Sequence, residues 1–261
     1  MARLTNDEAD KVFESNLRRQ EGILMQRLNS NFNQLSRDIQ RLMESYDFVG
    51  AATAVELNDV VLAQILLDAY ERGNKVGSRM AARDLEEDES IAEEAALLAL
   101  LLWRTGTAEE MSKKINRTTK KIYDKILSTV TEDLTERDQS GVIIRTPTTA
   151  EISKEVAKRT KAENKKRAGT ISTTESQRGI QEGANKTAEQ VDYQVLKQWR
   201  SQRDKRVRDT HKRADGQTVS MDGLFKVGKG QGRYPHDSRL PTAETIGCRC
   251  YLRFKKVART P

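Results

Sequence analysis

His211, His236, Cys248 and Cys250 are the only histidines and cysteines in the 261 residues, and all four fall near the C-terminus. Imidazole and thiolate are the ligands that zinc and similar borderline metals prefer, and structural sites use four of them. The set therefore reads as a candidate structural zinc site of His211, Cys248, Cys250 and His236, with Asp209, Asp215 or Asp237 as alternatives for the fourth ligand. Its spacing is not that of a common finger, since the thiols form a Cys-x-Cys pair and 25 positions separate the histidines. The competing reading is two polar histidines and two small buried thiols. A Cys248–Cys250 disulfide is the poorer explanation, because i and i+2 on an extended segment sit near the upper Cα limit with parallel Cβ vectors. Residues 1–17 are charged throughout and carry no secretory signal, so a reducing compartment is expected.

Two other patterns suggest chemistry. Gly228-Lys229-Gly230-Gln231-Gly232 is glycine-rich like a phosphate cradle, but it lacks the strand–loop–helix context and the Lys-Ser/Thr ending. A surface loop is the expectation there. Asp209, His211 and Asp215 could support metal-dependent hydrolysis, which makes a nuclease or hydrolase acting on DNA the alternative function. No nucleophile signature accompanies them, so no catalytic residue is assigned and a non-enzymatic role is the main expectation.

The expected fold class is mainly α, with an extended N-terminal part of long helices followed by a small C-terminal α+β domain. Residues 1–137 read as a long-helix assembly domain, 138–193 as a linker with short helices, and 194–261 as a small basic domain with a Cys-Arg-Cys end. The first helix runs from Asn6 to Tyr46, with Leu28, Phe32, Leu35, Ile39, Leu42 and Tyr46 at heptad spacing. A break at Asp47–Thr53, carrying Gly50, precedes a helix from Asn58 to Arg83 that buries Val61, Ile65, Leu66 and Tyr70. After the acidic run Glu86–Glu89 comes the apolar stretch AALLALLLW (Ala95–Trp103), then an amphipathic helix from Ala108 to Arg137 with Met111, Ile115, Ile122, Ile126 and Val130 inward. A turn at 139–141 and a β-like run at Val142–Ile144 lead to Pro147 and helices near 149–163 and 172–192. Thr5–Glu8, Ser90–Glu93, Thr107–Glu110, Thr148–Glu151 and Ser172–Glu175 match the capping box. A strand around Leu196–Trp199 and turns at Asp215-Gly216 and Asp222-Gly223 come before a last strand, Cys248–Phe254. Alternation along that strand would put both sulfurs on one face with Leu252 and Phe254.

Composition supports long exposed helices that share narrow seams, since 36% of residues are apolar and 33% charged. Residues 1–100 hold 11 Lys+Arg against 19 Asp+Glu, whereas residues 196–261 hold 17 against 6. A basic C-terminal region interspersed with Trp199, Tyr234 and Tyr251 suits phosphate contact with occasional base stacking. No base-reading motif is present, so such binding should be independent of sequence. The AALLALLLW run is too short for a bilayer, so a soluble chain without a membrane partner is expected. A helix that apolar on all sides should be buried in its own bundle or against another subunit.

Read in order, TISTTESQRGIQEGAN, KQW, DKRVRDTHKRADGQTVSMDGLF and RYPHDSRLPTAETIGCRC resemble the tailed-phage minor head proteins, the head morphogenesis family typified by the F protein of phage Mu. The resemblance spans about residues 165–252. It places Trp199, Asp204, Arg206, Arg208, His211, Asp215, Gly216, Phe225, Pro235, Asp237, Cys248, Arg249 and Cys250 at positions of the family pattern. Thr173 stands where the family often has Arg, Gly247 where Asn is frequent, and His236 where related sequences often have Gly. Arg208 and His211 stand where many members have a Cys-x-x-Cys pair. The resemblance implies a virion protein of few copies per head, assembled in the host cytoplasm and located in the head interior or portal region. Its implied partners are the portal protein and/or major capsid protein, and packaged double-stranded DNA bound non-specifically. Some relatives carry a toxin domain after the Cys-Arg-Cys, and none is expected here.

Overall fold

The structure, a computed structural model, describes residues 3–257, apart from the side chains of residues 89–96, 98–100 and 102. Four long helices come first in chain order: α1 (Asn6–Glu44), α2 (Phe48–Leu85), α3 (Glu89–Leu134) and, after a hairpin of β1 (Glu136–Arg137) and β2 (Ile143–Arg145), α4 (Thr149–Glu189). Then follow β3 (Val195–Arg200), α5 (Asp209–Ala214), β4 (Thr218–Ser220), β5 (Phe225–Val227), β6 (Gly230–Gly232), α6 (Thr242–Thr245) and β7 (Tyr251–Lys256). The chain is mainly α, as the sequence indicated.

Several boundaries differ from expectation, each for a local reason. The α1–α2 break is only three residues long, with Tyr46 at φ 61°. Asp47 caps α2 by accepting from the Gly50 N–H at 2.7 Å, and a Cβ at Gly50 would lie 2.0 Å from that carboxylate. Gly50 thus makes room for a cap and breaks nothing. Tyr46 is 74% exposed and does not close the stripe; Met43 is buried in its place. Val61 is also exposed, at 50%. The Thr5 and Thr148 boxes form, each with the Glu accepting from the Thr N–H and the Thr hydroxyl accepting in return. The matches at Thr107 and Ser172 fall inside helices. Near the first, Thr105 Oγ1 donates to the Leu101 carbonyl four residues back, and near the second, Thr174 does the same to Thr170, so α3 and α4 run on unbroken. The Ser90–Glu93 box lies outside the described side chains. Within AALLALLLW only the side chains of Leu97, Leu101 and Trp103 are described; the two leucines are 43% and 50% exposed, so they are not buried within this chain's own bundle. α2 is long and apolar enough to cross a membrane by length and composition alone. Its Ala51, Val55, Leu66, Tyr70 and Leu85 are buried within the chain.

By internal contacts the chain forms two compact units, neither continuous in sequence. One comprises Met25–Leu66 and Thr107–Gly169, around a core that includes Leu35, Ile39, Met43, Val55, Tyr123, Ile126, Val130 and Val156. Its β1–β2 hairpin turns at Gly141, φ 86°.

The other unit comprises Met1–Leu24, Leu67–Gly106 and Thr170–Pro261. Its antiparallel sheet has the order β4-β3-β7, with Trp199 paired to Leu252, and β5–β6 form a separate hairpin. The helix segments hold this sheet through buried ion pairs. Asp10 of α1 takes the Arg200 guanidinium at 2.6 Å, and Asp84 of α2 takes Arg253 at 2.8 Å and the Phe254 N–H at 3.0 Å. The α4 segment here is polar yet buried, with Ser172, Thr174, Glu175, Gln177, Gln181, Glu182 and Asn185 all inside. Two of those side chains, Thr174 and Gln181, and the neighbouring Arg178 serve backbone groups. Gln181 accepts from the Leu252 N–H at 3.0 Å on the open edge of β7, and Arg178 donates to the His236 carbonyl at 3.1 Å. α4 approaches α2 through glycines: a Cβ at Gly77 would meet the Ile180 carbonyl oxygen at 1.9 Å, and one at Gly183 the Asn74 carbonyl oxygen at 2.4 Å.

Candidate metal centre

The last strand starts at Tyr251, so Cys248 and Cys250 lie in the connection before it and strand alternation is not what aligns them. A chain of tight turns does so. α6 ends at Thr245, Gly247 adopts φ 65°, and the Cys248 N–H closes the turn on the Thr245 carbonyl at 3.1 Å. The left-handed conformation at 247 suits Gly or Asn, the two residues that tolerate it best. From α4, Thr174 Oγ1 accepts the Gly247 N–H at 3.0 Å. The Cys250 N–H points back to Cys248 Sγ at 3.3 Å, which folds both sulfurs to one side.

His211 meets them from α5. Its Nδ1 lies 3.3 Å from Cys250 Sγ and 3.5 Å from Cys248 Sγ, and its Nε2 lies 3.0 Å from Glu244 Oε2. All three residues are buried, and their ligand atoms lie within 4.8 Å of one another. Trp199 packs edge-on against the imidazole at 5.7 Å, with Phe225 behind it at 5.5 Å. Thr210 donates to Glu244 Oε2 at 2.7 Å and so fixes the carboxylate. A carboxylate on Nε2 selects the tautomer that carries its proton there, leaving the Nδ1 lone pair facing the sulfurs.

The electrostatics divide the two thiols. Burial resists ionisation at Cys248, but the Cys250 thiol, His211 and His236 together bring it well below the ordinary thiol range. Cys250, as the donor to that sulfur and itself buried, is pushed well above the range. For His211, burial opposes the charged ring, yet Cys248 and Glu244 outweigh it and move its pKa up.

His236 does not join the trio. Its Nε2 donates to the Cys248 carbonyl at 3.0 Å, and it sits at φ 70°, a conformation that glycine adopts most readily. The aspartates considered for the fourth position are engaged elsewhere. Asp209 is 81% exposed beside Lys212, while Asp215 accepts from the Ser201 N–H and Arg203. Asp237 organises its own turn through the Arg233 and Arg239 N–H groups. Among the described residues, Asp209, His211 and Asp215 do not share one ligand group.

The other family-pattern residues brace this knuckle. Asp204 pairs with Arg249, between the two cysteines, at 2.6 Å, and Arg208 donates to the Ile246 carbonyl. Gly216, at φ 85°, returns the chain from α5 to β4 with its N–H on the Trp199 carbonyl at 2.8 Å. Base stacking finds no support, because Trp199 and Tyr251 are fully buried and Tyr234 is hydrogen-bonded to buried Glu182. Sequence reasoning missed Glu244, Thr210 and Thr174, whose types are common and whose spacing to the cysteines follows no ligand pattern.

Residues 128–253 match the family of Phage Mu protein F like proteins. This match supports a phage Mu F-like head morphogenesis protein. The matched region contains the trio, its bracing residues and all of α4. That family suggests a virion-associated protein that interacts with other head components. Neither a curated protein nor a solved structure was found to match.

Proposed function

We propose that this phage Mu F-like protein is a minor head protein that docks on the portal protein or major capsid protein and contacts packaged double-stranded DNA without sequence preference. The family match over residues 128–253 carries the reading. An exposed apolar face on the N-terminal half of α2 supports the docking part: Val49, Leu57, Val60 and Val61 are 80%, 63%, 69% and 50% exposed. The last two turns of this face flank a groove of about 590 Å³ lined from α1 by Arg27, Asn31 and Leu35. Contiguous exposed apolar surface is characteristic of interaction sites.

The test is capture of the full chain by co-expressed portal protein, and separately by major capsid protein. A fragment starting at residue 138 is unsuitable, since it would strip the sheet-bearing unit of its α1, α2 and α3 segments. Instead Val49, Val60 and Val61 are each replaced by Ser in one variant. These side chains are exposed, so the fold should stay within ±0.5 kcal/mol per substitution. We expect wild type to be captured by one partner and the variant to lose most of that capture. Equal recovery of both proteins would overturn the docking surface.

A further inference from the structure

We propose that His211 Nδ1, Cys248 Sγ and Cys250 Sγ hold one zinc ion, with a water as fourth ligand and Glu244 orienting the imidazole. Four observations converge on it. First, bonds of about 2.3 Å to sulfur and 2.0–2.1 Å to nitrogen at a tetrahedral angle separate N from S by about 3.5 Å. The two separations here are 3.3 and 3.5 Å. One ring lone pair cannot accept two linear S–H hydrogen bonds at once, whereas an ion seated between the three atoms satisfies all of them. Second, Glu244 on Nε2 completes the carboxylate–histidine–metal arrangement in which an outer carboxylate sets ring orientation and ligand basicity. Third, two thiolates and one neutral imidazole give a zinc complex with no net charge, which suits a site where all three ligands are buried. Fourth, a cavity of about 10 Å³ opens beside the trio, lined by Val207, Arg208, Gly247 and Arg249.

That cavity decides the kind of site. Its volume matches about one water and admits no organic substrate. Glu244 faces the imidazole, leaving no free carboxylate among the lining residues to act as general base. A water-sized fourth position with no base beside it leaves the ion a tying role: it joins α5 to the Cys-Arg-Cys turn and so holds the Asp204–Arg249 pair in place. On binding, two S–Zn bonds and one N–Zn bond form, and the thiol protons still present leave to solvent.

The full chain, reduced and stripped with chelator, is titrated with Co²⁺. A thiolate-to-cobalt charge-transfer absorption saturating near one equivalent, and bleached by Zn²⁺, is the expected result. Zn²⁺ should also shield both thiols from a thiol reagent. Cys248→Ser and Cys250→Ser should each remove the absorption. In case either misfolds, Glu244→Gln retains both sulfurs and should bind roughly 10–100-fold more weakly. Absence of the charge-transfer band in the folded, reduced chain, or thiols equally reactive with and without Zn²⁺, would overturn the site, as would unchanged affinity in Glu244→Gln for the orienting role.

Discussion

Glu182 is buried on α4 and one of its carboxylate oxygens has no hydrogen-bond partner among the described residues. Desolvation pushes its pKa up to about 7, and Glu189 and Asp237 add to it against Tyr234 and Lys186. The folded state thus favours the protonated acid. Its stability contribution is complete below the ordinary carboxyl value near 4.5, declines as pH rises through 7, and is then level. Glu182→Gln keeps the shape and a Tyr234 acceptor while removing the ionisation. Denaturant melts should show variant and wild type alike near pH 4.5, with the variant ahead by up to about 3 kcal/mol at pH 8. The same difference at both pH values would contradict this account. At this scale the sequence was legible where residues are rare: four His and Cys positions announced the trio, and the structure joined three of them. It was illegible where ordinary residues act through geometry, as Glu244 does on Nε2 of His211. His236 was misjudged because a positive φ, invisible in the sequence, turns its ring to a backbone carbonyl.

The elements were read best where packing repeats along the chain. Leu28, Phe32, Leu35 and Ile39 are buried as heptad spacing required. α4 was split into two helices because its second half looks solvated, having few apolar residues and a hydroxyl-rich start. Its Thr174, Arg178 and Gln181 instead hold backbone groups of the Gly247 turn, the His236 loop and the edge of β7. Periodicity in apolar residues cannot reveal a helix whose buried face works through hydrogen bonds. The glycines that permit this closeness give a second prediction. Gly77→Ala drives a methyl against the Ile180 carbonyl and the Ala184 nitrogen at 1.9 and 2.7 Å, both backbone atoms that cannot rotate away. The cost should be about 1–3 kcal/mol or more, lowering Tm by roughly 2–12 °C. Gly22→Ala, in α1 with nothing within 4 Å, is the control and should raise stability by about 0.5–1 kcal/mol. Equal effects of the two substitutions on Tm would mean that the α2–α4 approach is not glycine-limited.

For the whole molecule the informative quantity is where its net charge of +7 resides. The C-terminal excess of 17 Lys+Arg over 6 Asp+Glu is only partly available for a ligand, because Arg200 and Arg253 are buried against Asp10 and Asp84. Lys205, Arg206, Lys212, Arg213, Lys226 and Lys229 remain at the surface. With Trp199 and Tyr251 fully buried, phosphates are the natural contacts and base stacking is not. Binding to two unrelated duplexes, followed by anisotropy between ~50 and 200 mM salt, should be equal and fall steeply as counterions are retained. Each lost phosphate contact lowers the slope of log affinity against log salt by about one. Lys212→Glu with Arg213→Glu, both exposed on α5, should therefore lower it by about two. Clear preference for one duplex, or affinity indifferent to salt, would remove DNA contact from the proposed role. Cleavage of either duplex on adding Mg²⁺ or Zn²⁺, abolished by His211→Ala, would favour the hydrolase alternative over a purely architectural protein.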